Sequence, residues 1–107
     1  MYRNTIIMVQ LTDQTFKEQI QEGVVVVDMY ADWCGPCRAL SPILEELEEK
    51  YSSVTFAKLD TDANRSMPQE YGVMGIPAVF IFKDGELVKR IDGYNPKSVY
   101  IDVLESI

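Results

Sequence analysis

The chain has 107 residues, of which 47% are hydrophobic and 25% charged, a composition that excludes disorder and is sufficient for one globular domain spanning residues 1–107. Ten basic against seventeen acidic side chains leave a net charge of −7, which argues against nucleic acid or an anionic membrane as a partner. The sequence has no histidine and only two cysteines, Cys34 and Cys37; this removes Ser-His and Cys-His catalysis, imidazole switches and a closed four-cysteine zinc site within one chain, and no metal is expected.

Ile6 to Gln10 reads as a first strand. The apolar run Ile6 to Val9 is too short for the core of a signal peptide or for a membrane span, so a cytoplasmic protein is expected. Thr12 and Asp13 offer an N-cap to a short helix with Phe16 and Ile20 on one face, ended by Gly23. Val24 to Tyr30 is a near-continuous β-branched run, the pattern of a central strand covered on both faces. From about Gly35 to Tyr51, Leu40, Ile43, Leu44 and Leu47 form the apolar stripe of a long helix, and Pro42 inside it predicts a kink. Val54 to Asp60 reads as a third strand and Asn64 to Tyr71 as a short helix. Ala78 to Phe82 and Glu86 to Asp92 flank Lys83-Asp84-Gly85, where Asp-Gly signals a hairpin. Asn95-Pro96 opens a last helix to about Ser106, with Asn95 as N-cap and Pro96 at the first helical position. The order β-α-β-α-β-α-β-β-α predicts an α/β fold. Its first three strands are parallel, its last two form an antiparallel hairpin, and helices cover both faces.

Trp33-Cys34-Gly35-Pro36-Cys37 falls where the central strand ends and the long helix begins. Chemistry in open α/β sheets gathers beyond the carboxyl ends of the strands. Cys34 at the N-cap would meet unpaired N–H groups and the positive end of the helix dipole, both of which stabilise a thiolate. Cys37 lies one turn further on the same face, at a spacing suited to a disulfide. Three readings compete: redox chemistry, a structural staple, and half of a metal or iron–sulfur site shared between two chains. A loop of about four residues removes only about 2 kcal/mol of unfolded-chain entropy, so as a staple it is weak. The redox reading is therefore favoured. Lowering a thiol pKa by about 1.5 units raises its thiolate fraction at neutral pH roughly 16-fold, while nucleophilicity falls roughly 5-fold. The larger advantage must come from exposure of Cys34, docking of a target and the proximity of Cys37.

At these residues the chain resembles the thioredoxin family. The resemblance runs over essentially the whole length. It includes Val27-Asp28, Ala31 to Arg38, Pro42, Phe56 to Asp60, Tyr71-Gly72-Val73, Gly75-Ile76-Pro77, Phe82 to Gly85 and Gly93. It implies a five-stranded mixed sheet with four helices and a general protein-disulfide reductase. In that scheme the Cys34 thiolate attacks a target disulfide, Cys37 resolves the mixed disulfide, and a reductase recycles the oxidised pair. The partners implied are disulfide-containing proteins and a thioredoxin reductase, usually an NADPH-dependent flavoprotein; no bound cofactor is implied, and a monomer is expected. The Gly-Pro dipeptide and the absence of histidine beside Cys37 resemble the reducing members.

The resemblance also assigns supporting residues. Asp28 would be a buried acid that takes and returns the Cys37 proton, its pKa raised by desolvation; an edge-facing, solvated Asp is the plainer alternative. Lys58 would lie near that acid and bias its charge, or be an ordinary surface lysine. Pro77 would be cis and face the cysteines, leaving the Ile76 backbone free to pair with an extended target. Trp33, Gly35, Pro36, Met74, Gly75, Ile76 and Gly93 would form a flat apolar docking face; core packing for Met74 and turn geometry for the glycines are the alternatives. Tyr30, Met29 and Ala78 stand where the family commonly has Trp, Phe and Thr. The Tyr30 hydroxyl could hydrogen-bond near the active-site loop. A non-covalent binding module, an oxidant or isomerase of the same fold, and a cluster-bridged dimer are the competing functional classes. The Cys34→Ser variant, a reduction potential and a metal assay separate them.

Overall fold

The computed structural model describes residues 8–107. Five strands, β1 (Val9–Leu11), β2 (Val24–Tyr30), β3 (Thr55–Asp60), β4 (Ala78–Lys83) and β5 (Glu86–Asp92), alternate with four helices, α1 (Phe16–Gln19), α2 (Gly35–Lys50), α3 (Ser66–Glu70) and α4 (Lys97–Ser106). The sheet order is β1-β3-β2-β4-β5. β1 and β2 both run parallel to β3, while β2–β4 and β4–β5 are antiparallel. The mixed α/β sheet and four helices match the expected architecture. Residues 6 and 7 of the expected first strand lie outside the described residues.

The β-branched run Val24 to Tyr30 occupies the centre of the sheet, where both faces are covered. Its alternate side chains divide between two cores. Val25, Val27 and Met29 join Phe16, Ile20, Met67, Phe80 and Phe82 beneath α1 and α3. Val26 joins Leu40, Leu44, Leu47, Phe56, Val79, Ile81 and Tyr100 beneath α2 and α4. The Asp84-Gly85 signal gives a two-residue hairpin, with φ of +51° at Asp84 and +89° at Gly85. Two successive positive φ values suit the twist of a tight hairpin, and Gly at the second costs no Cβ strain.

Three local expectations change. α1 starts at Phe16 with Thr15 at the N-cap, because the Asp13 carboxylate is used elsewhere. It accepts from the Ser66 and Met67 N–H groups at 3.1 and 2.9 Å, satisfying the start of α3. The Thr12 hydroxyl still accepts from Gln14 and Thr15 N–H, both at 3.2 Å. α4 has Pro96 at the N-cap, not Asn95; the Asn95 amide instead donates to the Asp92 and Gly93 carbonyls at 3.0 and 3.3 Å, holding the loop after β5. Pro42 is contained within the single helix Gly35–Lys50, so the predicted kink does not divide α2.

Candidate functional site

β2 ends at Tyr30, the chain turns through Ala31-Asp32-Trp33, and α2 begins at Gly35 with Cys34 as its N-cap. The turn is fixed by the Cys34 N–H donating to the Ala31 carbonyl at 3.2 Å and by the Arg38 guanidinium donating to the Asp32 carbonyl at 2.8 Å. Pro36 sits in the first turn of the helix, where its missing N–H removes no helical hydrogen bond. Cys34 and Cys37 are joined in a disulfide, with Cα atoms 5.2 Å apart. The Cys37 N–H also donates to Cys34 Sγ at 3.1 Å. The sulfur therefore occupies the position of an N-capping side chain, where helix N–H groups favour negative charge.

Both cysteines are only 3% exposed. This corrects the expectation of a freely exposed Cys34. Ala31, Tyr30 and Ile76 pack around the pair, and Cys34 Sγ lies 3.7 Å from the Ile76 carbonyl oxygen. A disulfide sulfur carries no proton, so in this oxidised form that approach is a van der Waals contact. The Ile76–Pro77 peptide is cis, as the resemblance implied.

Beside the pair, two large apolar side chains are exposed. Trp33 is 68% exposed and Met74 is 96% exposed, which rules out core packing for Met74. A groove is lined by Trp33, Thr61, Asp62, Pro68, Met74 and Ile76, among others. A second, smaller depression brings Gly93 together with Met74, Gly75 and Ile76. Gly93 has φ of +79° and donates its N–H to the Pro77 carbonyl at 2.8 Å. It therefore meets a real backbone requirement. Gly35 and Gly75 lack a positive φ, and a Cβ on either would meet no atom within 4 Å. Turn geometry does not account for these two, and their lack of a side chain leaves the surface beside the cysteines flat.

On β2, Asp28 faces the α2/α4 side of the sheet, in the same alternation as Val26. It is 4% exposed, and its Oδ1 has no hydrogen-bond partner among the described residues. Burial pushes its pKa up from 3.8 to about 7, and the positive charge of Lys58 pulls the other way. Lys58 is the residue paired with Asp28 across β2 and β3, and its Nζ lies 5.6 Å from the centre of the Tyr30 ring. Asp28 is thus not a solvated edge residue, and Lys58 is not a remote surface lysine. The Tyr30 hydroxyl accepts from the Gln10 amide at 3.3 Å, on the β1 side, instead of serving the active-site loop.

Several residues of the site were not singled out as such from the sequence. Asp62 accepts from the Trp33 indole N–H at 2.8 Å and fixes the orientation of that ring. Asp62 follows β3, the neighbour of the central strand, so the carboxyl-end rule for α/β sheets was the available signal. Arg65, Gln69 and Val73 also line the groove; no local motif marked the first two, and Val73 carried the resemblance without a site role.

The Thioredoxin family model matches residues 7–106. The chain belongs to the thioredoxin family. It is 45% identical over 96 residues to the thioredoxin of Listeria monocytogenes serovar 1/2a, covering 89% of this chain and 93% of that one. It is 44% identical over 99 residues to the thioredoxin of Staphylococcus haemolyticus, covering 92% and 95%. Among solved structures it resembles oxidised mitochondrial thioredoxin 3 of Saccharomyces cerevisiae, with a TM-score of 0.84 at 34% identity and coverage of 92% and 94%. With the cysteine pair in the active-site position, this family member is a dithiol–disulfide protein reductase. Among the described residues no helix is long and apolar enough to cross a membrane.

Proposed function

We propose that this single-domain protein is a general reductant of protein disulfides, with Cys34 as nucleophile and Cys37 as resolving thiol. The Cys34 thiolate attacks one sulfur of a target disulfide and displaces the other as a thiolate. Cys37 then gives its proton to the Asp28 carboxylate and attacks Cys34 Sγ, releasing the second target thiolate. Two electrons pass to the target, and the Cys34–Cys37 disulfide remains. A thioredoxin reductase, a flavoprotein drawing on NADPH, returns the two electrons. The protein thereby serves as a monomeric carrier in cytoplasmic electron transport.

The observation that carries this reading is the Cys34–Cys37 disulfide at the start of α2, next to Trp33 and Ile76 of the adjoining groove. Because both sulfurs are nearly covered, reaction requires a docked target. Trp33, Met74, Gly75, Ile76 and Gly93, with Gly35 and Pro36, provide a flat surface for it. The cis Pro77 and the Ile76 backbone lie beside the reacting sulfur, where an extended target strand can align. Asp28, with a pKa of about 7, is close to half ionised at neutral pH and suited both to take and to return a proton; Lys58 biases its charge.

The test is reduction of insulin disulfides by catalytic amounts of the protein with dithiothreitol, beside the Cys34→Ser variant. The expected result is accelerated precipitation that the variant abolishes. No acceleration by the wild type would overturn the general-reductase reading.

A further inference from the structure

Three buried polar atoms lack hydrogen-bond partners among the described residues: Glu48 Oε1 on α2, and, in the core beneath α2 and α4, Asp28 Oδ1 and the Tyr100 hydroxyl. Tyr100 is 1% exposed and packs in the apolar cluster with Val26, Leu40, Phe56, Val79 and Ile81. Asp28 shares that face of the sheet, flanked along β2 by Val26 and across β4 by its partner Val79. Phe would fill almost the same space as Tyr100 without burying a hydroxyl. Buried polar groups in folded proteins are nearly always satisfied, and two that share one region and do not touch directly are the usual setting for a bridging water.

We propose that Tyr100 is a positioning residue for the redox reaction, its hydroxyl donating across one buried water to the Asp28 carboxylate and holding that carboxyl for proton exchange with Cys37. The inference rests on the reading of Asp28 as the proton acceptor. Electrostatics agree with the placement: burial raises the Tyr100 pKa most, and the Asp28 charge raises it further, followed by Tyr94. A hydrogen-bond donor favours the ionised carboxylate and so opposes the burial that disfavours it. The remaining charged or titratable neighbours are few. Lys58 approaches from β3, Tyr30 from β2 itself, and α2 turns Cys37, Leu40, Leu44 and Leu47 inward. Glu48 of α2 responds to burial and to Glu45, with no contribution from Asp28.

The experiment is the carbon-13 NMR titration of the Asp28 carboxyl in wild type and Tyr100→Phe. Both proteins are kept oxidised, so that neither cysteine titrates. The expected result is an upward shift of the Asp28 midpoint by about one pH unit, the effect of losing one hydrogen bond to a charged group. An unmoved or lowered midpoint overturns the proposal. The acid limb of insulin reduction should move upward in Tyr100→Phe and should not respond to that change in an Asp28→Asn background. The same movement in both backgrounds would assign the effect to packing and overturn the proposal. The carboxyl titration involves no turnover. It therefore tests the Tyr100 link even if Asp28 proves not to accept the Cys37 proton, and an Asp28→Asn protein with an unchanged pH profile would isolate that second failure.

Discussion

The two faces of one sheet are built for different ends. Beneath α1 and α3, Phe16, Tyr71, Phe80 and Phe82 form a continuous aromatic cluster, with neighbouring ring centroids 5.2 to 6.4 Å apart. Arg90 roofs it, 5.1 Å from the centre of the Phe80 ring, and donates to the Tyr71 and Gly72 carbonyls at 2.6 and 3.2 Å. Beneath α2 and α4 the core is mostly aliphatic, and it holds a carboxyl and a phenol that lack partners. The first face maximises packing. The second buries a titratable carboxyl at a cost in stability. Strand alternation makes the separation possible, because neighbours on β2 point to opposite sides.

The sharpest division comes from the cysteines. Cys34→Ser should abolish insulin reduction while the protein stays folded, and Cys37→Ser should accumulate a covalent complex with the target, visible on a non-reducing gel. On the aromatic face, Phe80→Ala should cost about 3–5 kcal/mol in urea unfolding through the cavity it leaves, with turnover per folded molecule unchanged. Asp28→Asn should move the other way. The folded-state pKa of Asp28 lies near 7 against 3.8 for the free group, so its ionisation opposes folding as pH rises through that interval. The substitution should therefore stabilise the protein by up to about 4 kcal/mol at pH 8, with the gain vanishing toward pH 4; a gain independent of pH would deny Asp28 its titrating role. The smallest effect is expected at the rim: Met74→Ala should raise KM for protein substrates a few-fold and leave kcat and melting unchanged. A fall in kcat instead would move Met74 from docking into the chemistry.

Much of this division could be read in the residues themselves. The run Val24 to Tyr30 marks the central strand, and Asp28 within it stands out because a carboxylate there is costly to bury. Asp84-Gly85 marks the hairpin through backbone chemistry confined to two residues. What escaped was tertiary. Asp13 reads as a local cap, but its carboxylate crosses to α3, a pairing that depends on how two loops meet. Asn95 likewise reads as a cap, while its amide turns back to the end of β5. Nothing local marks Tyr100, since the helical pattern alone does not say which side chains of α4 share a core with β2. Asp62 escaped for the same reason, because its link to Trp33 spans two loops. The covering of Cys34 also depends on Ile76, which approaches from a distant part of the chain.

The Asp13 bridge has a mechanical meaning. The Asp13 N–H donates to Asn64 Oδ1 at 2.8 Å, and its carboxylate holds the first two amides of α3. The loop before α1 and the start of α3 are thus pinned from both sides of one residue. α3 carries Pro68 and Gln69, which wall the groove beside the disulfide. That wall is braced by a clamp whose residues, Asp13 and Asn64, are not among those lining the groove. If a target docks in the groove as proposed, it would meet a surface already in shape, leaving little ordering on the protein's side and the adjustment to the incoming chain.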